Sequence, residues 1–198
     1  MGRALLPLLI LPLLLSACGG DDDNDLVLSL REDFQAMETW SGQAEITADY
    51  GQRVYAYSVS FTGSREEGTV LTITAPEEVA GINATARQGQ TWLEYDGMRL
   101  ETGPLDESGL SPMDALPALF REMAEGTVAE TGTETDGEQA LLRLTLRDPD
   151  SAAGQGRETV LWFDKARRTL TRAELRSDGA AVVRCVFPAF VYTIPQDN

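Results

Sequence analysis

The sequence predicts a mainly β fold of the α+β class: a strongly curved antiparallel sheet, or incomplete β-barrel, covered by an N-terminal and a central helix. Three observations predict it. Segments that alternate apolar and polar residues recur about ten times, the period of two that belongs to half-buried strands. The turns between them are short, which makes sequence neighbours antiparallel neighbours. One segment, 111–125, breaks the pattern with apolar residues at helical spacing.

Ahead of the strands, residues 26–40 place Leu30, Phe34 and Met37 at helical spacing. Ser29 and Glu32 stand three apart, as in a capping box, and Gly42 ends the run. Residues 43–49 read as a strand, with Gly51 in the turn that follows. The stretch 53–62 alternates cleanly, with Tyr55, Tyr57, Val59 and Phe61 on one face and Ala56, Ser58 and Ser60 on the other. Strand 69–75 follows, and Pro76 breaks its ladder. Residues 82–87 and 91–95 form a hairpin, and Asp96-Gly97 is a tight-turn signal leading into 98–101. Ser111-Pro112-Met113-Asp114 has the form of a helix start, after which Met113, Leu116, Phe120 and Met123 recur on one face. Pro117 is expected to kink or delay this helix, and Gly126 closes it. Strands resume at 127–135, 139–146, 158–164, 168–177 and 180–193, with Asp178-Gly179 as a turn and Pro188 marking an edge or bulge. No repeat or linker splits this body.

The N-terminus reads as an address. Arg3 precedes an apolar run over 4–15 that is interrupted by Pro7 and Pro12. A membrane-spanning helix needs about 20 apolar residues, so this run is a signal-peptide core. It ends in Leu15-Ser16-Ala17-Cys18, which resembles the bacterial lipoprotein box. That resemblance implies cleavage before Cys18 and a thioether-linked diacylglycerol on its sulfur. The expected organisation is therefore a signal peptide over 1–17, a lipidated acidic flexible tether over 18–25, and one β-rich domain over 26–198. The expected location is the extracytoplasmic face of a cell membrane, with the lipid rather than the acidic body supplying membrane affinity. Only Cys185 then remains free, in an apolar strand-like run, as a small buried hydrophobe.

Charge and composition exclude several functions. A formal net charge of −16 argues against nucleic-acid binding, which needs basic clusters. The chain has no His, which removes the usual general base and the commonest metal ligand. Asp21, Asp23, Asp25 and Glu32 have calcium-loop spacing, but Leu26 stands where the sharp turn wants Gly, so the run reads as solvated charge. The carboxylate pairs Glu66-Glu67, Glu77-Glu78, Asp106-Glu107 and Asp148/Asp150 sit in turn-like segments; glycosidase chemistry requires two carboxylates facing each other across a cleft, which adjacency in sequence does not show. No catalytic residue, metal site or cofactor is expected, apart from the lipid on Cys18.

The order of elements, with Tyr55-Ala56-Tyr57, the 74–81 strand exit, Trp92-Leu93-Glu94-Tyr95-Asp96-Gly97 and Leu110-Ser111-Pro112, resembles the LolA/LolB-like lipoprotein-localisation superfamily. The resemblance implies an incomplete barrel whose helix-lidded cavity shelters acyl chains. It implies no enzymatic activity, and the cargo-transfer role is not carried over. The candidate cavity lining is Tyr55, Tyr57, Phe61, Trp92, Met113, Leu116, Phe120, Met123 and Trp162, with a lipid or other hydrophobic small molecule as ligand. The alternative is an envelope interaction or scaffold lipoprotein in which the same residues form a filled core and take no ligand.

Overall fold

A computed structural model describes residues 20–87, 90–101 and 110–195. Helix α1 (Gly20–Ala36) comes first. Six strands follow: β1 (Thr39–Asp49), β2 (Val54–Ser64), β3 (Gly68–Ala75), β4 (Asn83–Arg87), β5 (Gln90–Tyr95) and β6 (Met98–Glu101). Helix α2 (Ala115–Glu125) then leads into β7 (Val128–Asp136), β8 (Gln139–Arg147), β9 (Arg157–Asp164), β10 (Thr169–Ser177) and β11 (Ala180–Thr193).

The eleven strands of the described residues lie in one sheet of order β6-β5-β4-β3-β2-β1-β11-β10-β9-β8-β7. It is two antiparallel meanders, β1–β6 and β7–β11, joined where β11 pairs with β1. β6 and β7 are the two edges, so the sheet is curved but does not close into a barrel. Register shifts in the β1–β11, β2–β3, β7–β8, β9–β10 and β10–β11 pairs supply the bending. Pro188 lies at one of them: Gln43 faces Ala189 and Glu45 faces Val186, leaving one extra residue on β11. Opposite this bulge, a Cβ on Gly42 would press on the Ala189 carbonyl and come within 2.7 Å of the Phe61 ring, so only glycine fits. The two Asp-Gly turns form as expected, with Asp96, Gly97, Asp178 and Gly179 all at positive φ.

Both helices lie on the concave face, α1 reaching β7 and α2 reaching β10, with their aromatic side chains over β1, β2 and β11. Phe34 of α1 and Phe120 of α2 meet Phe61, Phe190 and Tyr192, with Phe120 stacked on Phe190 at 5.4 Å. Pro117 is the third residue of α2, within the first turn where backbone N–H groups have no helical acceptor, so the helix starts late and is not broken. Polar contacts fix the helices to each other. Arg31 donates to the carbonyls of Gly126 and Ala124, and Gln35 donates to Ala124, satisfying acceptors at the end of α2. Arg65 does the same for α1 through the carbonyls of Gln35 and Met37.

Helix α1 begins earlier than the sequence suggests. Residues 20–25, expected as flexible tether, are helical. Acidic residues suit a helix N-terminus, and Asp23 is held by Lys165 and by Thr133. Ser29 donates to the Leu26 carbonyl within the helix, so no capping box forms there. The hydrogen bond from Lys165 is the main cause that lowers the Asp23 pKa below its ordinary value. A depressed carboxylate stabilises above its unfolded pKa and loses that contribution as pH falls through the folded one. The N-terminal turn of α1 is therefore expected to loosen below about pH 4. The protection of the amides of residues 22–27, measured against the intrinsic exchange rate at each pH, should fall on acidification in the native chain. In Asp23→Asn that protection should already be low at neutral pH and change little with acid.

Candidate functional site

The concave face carries apolar rows that run across the strands. One row is Phe61–Leu71–Ala84–Leu93–Leu100, each residue paired with the next in register. Another begins at Val59–Ile73, passes Ile82, which bonds to Ile73 through its carbonyl, and ends in the Tyr95–Met98 pair. Under the helices both rows are closed: Phe61, Leu71, Ala84, Val59 and Ile73 are all buried. Towards β6 they open. Leu93 and Ile82 are half-buried, then Tyr95 is 49 %, Leu100 62 % and Met98 69 % exposed. Adjacent on β2, Tyr57 is half-buried and Tyr55 is 37 % exposed. The approach to α2 lies beside this aromatic pair, because Tyr50 meets the Tyr55 ring at 6.1 Å and donates to the Leu110 carbonyl at 2.9 Å. Leu110 and Met113 pack half-buried against the core. The result is an apolar concave surface, roofed at its centre and uncovered at its β5–β6 end.

The predicted lining residues divide into three groups. Tyr55 is exposed, and Tyr57 and Met113 are half-buried and packed against the core, so these three are not closed in. Phe61, Leu116, Phe120 and Met123 are buried in the aromatic core beneath α2 and fill that space themselves. Trp92 and Trp162 are on the other face of the sheet. Trp92 precedes Leu93, whose partner Ala84 is in the core, so strand alternation turns the indole outward, where Arg99 stacks on it at 4.2 Å. Trp162 lies between the core residues Leu161 and Phe163 and packs instead with Leu141 and Val160. Arg172 covers its ring at 4.2 Å, and its Nε1 donates to Glu134. Size suggested these two indoles as lining, but the parity of their strands places them outside. Leu93, Tyr95, Met98 and Leu100 were missed. Their signal is the Asp96-Gly97 turn, which sets 93 and 95 opposite 100 and 98 on one face of an edge hairpin.

The outer face of β7–β11 is polar and internally paired. Arg147 contacts Glu158 at 2.7 Å, and Arg143 contacts Glu130 and Glu134. Burial raises the Glu158 pKa, but the Gly154 N–H and the Arg147 guanidinium outweigh it, so the carboxyl sits below its ordinary value. Cys185 is buried, and burial pushes its thiol up to about 12, which leaves it unreactive. Among the described residues no group of three or more His, Cys, Asp or Glu is placed to hold a metal ion, and no helix is long and apolar enough to cross a membrane. Cys18 lies outside the described residues.

No family model matches the chain, and no curated protein does. Solved structures do. A DUF1329 family protein from Desulfovibrio piger aligns with 88 % of this chain and 93 % of its own, at 12 % identity and a TM-score of 0.51. The Mycobacterium tuberculosis lipoprotein LppX covers 88 % and 98 % at 13 % identity and 0.46, and a LolA superfamily protein from Nitrosomonas europaea covers 88 % and 94 % at 12 % identity and 0.40. At such identities the likeness is one of fold: a curved, unclosed antiparallel sheet that carries two helices.

Proposed function

We propose that this chain is an extracytoplasmic lipoprotein, anchored through diacylglycerol on Cys18, that binds an acyl chain or similar hydrophobic ligand without catalysing a reaction. The observation that carries the binding reading is the pair of cross-strand apolar rows, buried under the helices and uncovered at Tyr95, Met98 and Leu100. An exposed, contiguous apolar surface on a concave face is where a hydrophobic ligand gains most from leaving water. Methionine, flexible and polarisable, adapts to the irregular shape of such a chain. Native mass spectrometry after gentle extraction tests the reading: a co-purifying lipid supports it, and a ligand-free protein that also fails to bind fluorescent fatty acids opposes it.

The anchor rests on the Leu15-Ser16-Ala17-Cys18 box behind its apolar run. Replacement of Cys18 by serine is expected to move the protein from the membrane fraction to the soluble fraction. A variant that still pellets with membranes contradicts the anchor. The second reading, an envelope interaction lipoprotein with no ligand, draws on the filled aromatic core around Phe120. That reading leaves the open end as a protein-docking surface, and mass spectrometry then finds protein and no lipid.

A further inference from the structure

Beside the Tyr55–Tyr57 pair of β2 lies a second feature of different chemistry. A cavity of about 420 Å³ is lined by Tyr50, Gln52, Arg53 and Tyr55, at the tip of the β1–β2 hairpin. Arg53 stands one residue before β2 and in phase with Tyr55, Tyr57 and Val59, so it belongs to the concave side of that strand. The other arginines on the sheet are largely committed: Arg143, Arg147, Arg172, Arg176 and Arg184 all meet glutamates. The Arg53 guanidinium makes no ion pair or side-chain hydrogen bond among the described residues, and neither do the Gln52 amide and the Tyr55 hydroxyl.

We propose that this cavity receives the anionic head of an amphiphile whose hydrocarbon tail lies on the neighbouring apolar surface. The ligand class is thus a negatively charged, singly headed lipid, and the inference rests on the hydrophobic-binding reading above. Three arguments support it. Tyr55 lines the cavity and shares its strand face with Tyr57 and Val59, where the second apolar row begins, so one molecule reaches both. Carboxylate and phosphate oxygens match the forked donors of a guanidinium, with Gln52 and the Tyr55 hydroxyl as further donors. The chain carries a net charge of −16, so an uncommitted cation at the mouth is where an anionic head meets the least repulsion.

The test compares three probes on the full folded domain: monomeric oleate, short-chain phosphatidylglycerol, and uncharged monoolein. The native protein should bind oleate about tenfold more tightly than monoolein, and Arg53→Gln should remove that preference while leaving monoolein binding unchanged. Arg53 is exposed, so the variant folds, and an unchanged melting temperature checks this. Loss with both oleate and phosphatidylglycerol assigns the site to carboxylate and phosphate heads alike. Loss with oleate alone assigns it to free fatty acids. If oleate and monoolein bind equally and Arg53→Gln changes neither, the head-group site is overturned while the apolar surface stands. If no probe binds at all, the hydrophobic reading fails and the head-group site falls with it.

Discussion

Replacing Phe120 with alanine is expected to destabilise the fold by about 3–5 kcal/mol, a large part of what a domain of this size has in reserve. The ring is buried and meets Phe34, Trp40, Phe61 and Phe190. Truncation removes its transfer free energy and leaves a void that the surrounding rings, held on three different strands and a helix, cannot all move to fill. Urea denaturation checks the expectation through a lowered midpoint at unchanged slope. Met98→Ala is the internal comparison. It removes a side chain that is mostly in water and should change stability by no more than about 0.5 kcal/mol. If Phe120 lined an empty, ligand-receiving space, its removal would cost much less.

The paired substitution Met98→Asp and Leu100→Asp is expected to do the reverse: stability is kept and ligand binding is lost. Both side chains are exposed on the edge strand β6, so new carboxylates remain hydrated in the free protein. A bound acyl chain would strip that water without offering a hydrogen bond, which costs several kcal/mol per group. Affinity for a fluorescent fatty acid should fall by more than about tenfold. Val191→Asp is the control, because Val191 is equally exposed but follows the core residue Phe190 and so faces away from the concave surface. It should leave binding intact. Equal loss in both variants would point to a general charge effect.

The fold was legible in the sequence because most of its signals are local. Alternation in 53–62 marked β2 to within two residues, and Asp96-Gly97 and Asp178-Gly179 placed two hairpins whose turn residues adopt positive φ. Pro188 marked a bulge because a strand residue without an N–H leaves its ladder incomplete. The start of α1 was not legible: an acidic run looks disordered by composition, and what fixes it is Lys165, far away in sequence. An apolar concave surface was legible in kind, and the residues that compose it only in part. Size and apolarity named Phe61, Leu116, Phe120 and Met123, but whether such residues line a space or fill it depends on how closely the helices approach the sheet. For Trp92 and Trp162 the decisive fact is parity relative to a partner strand, which a single strand's own sequence does not specify.

The most direct measurement is photolabelling of the folded protein with a diazirine-bearing fatty acid, followed by peptide mapping. The account predicts label on the β5–β6 hairpin, at Leu93, Tyr95, Met98 and Leu100, and on β2 at Tyr55 and Tyr57, suppressed by excess oleate. Label confined to the outer face around Trp162, or spread over the surface and insensitive to oleate, contradicts it.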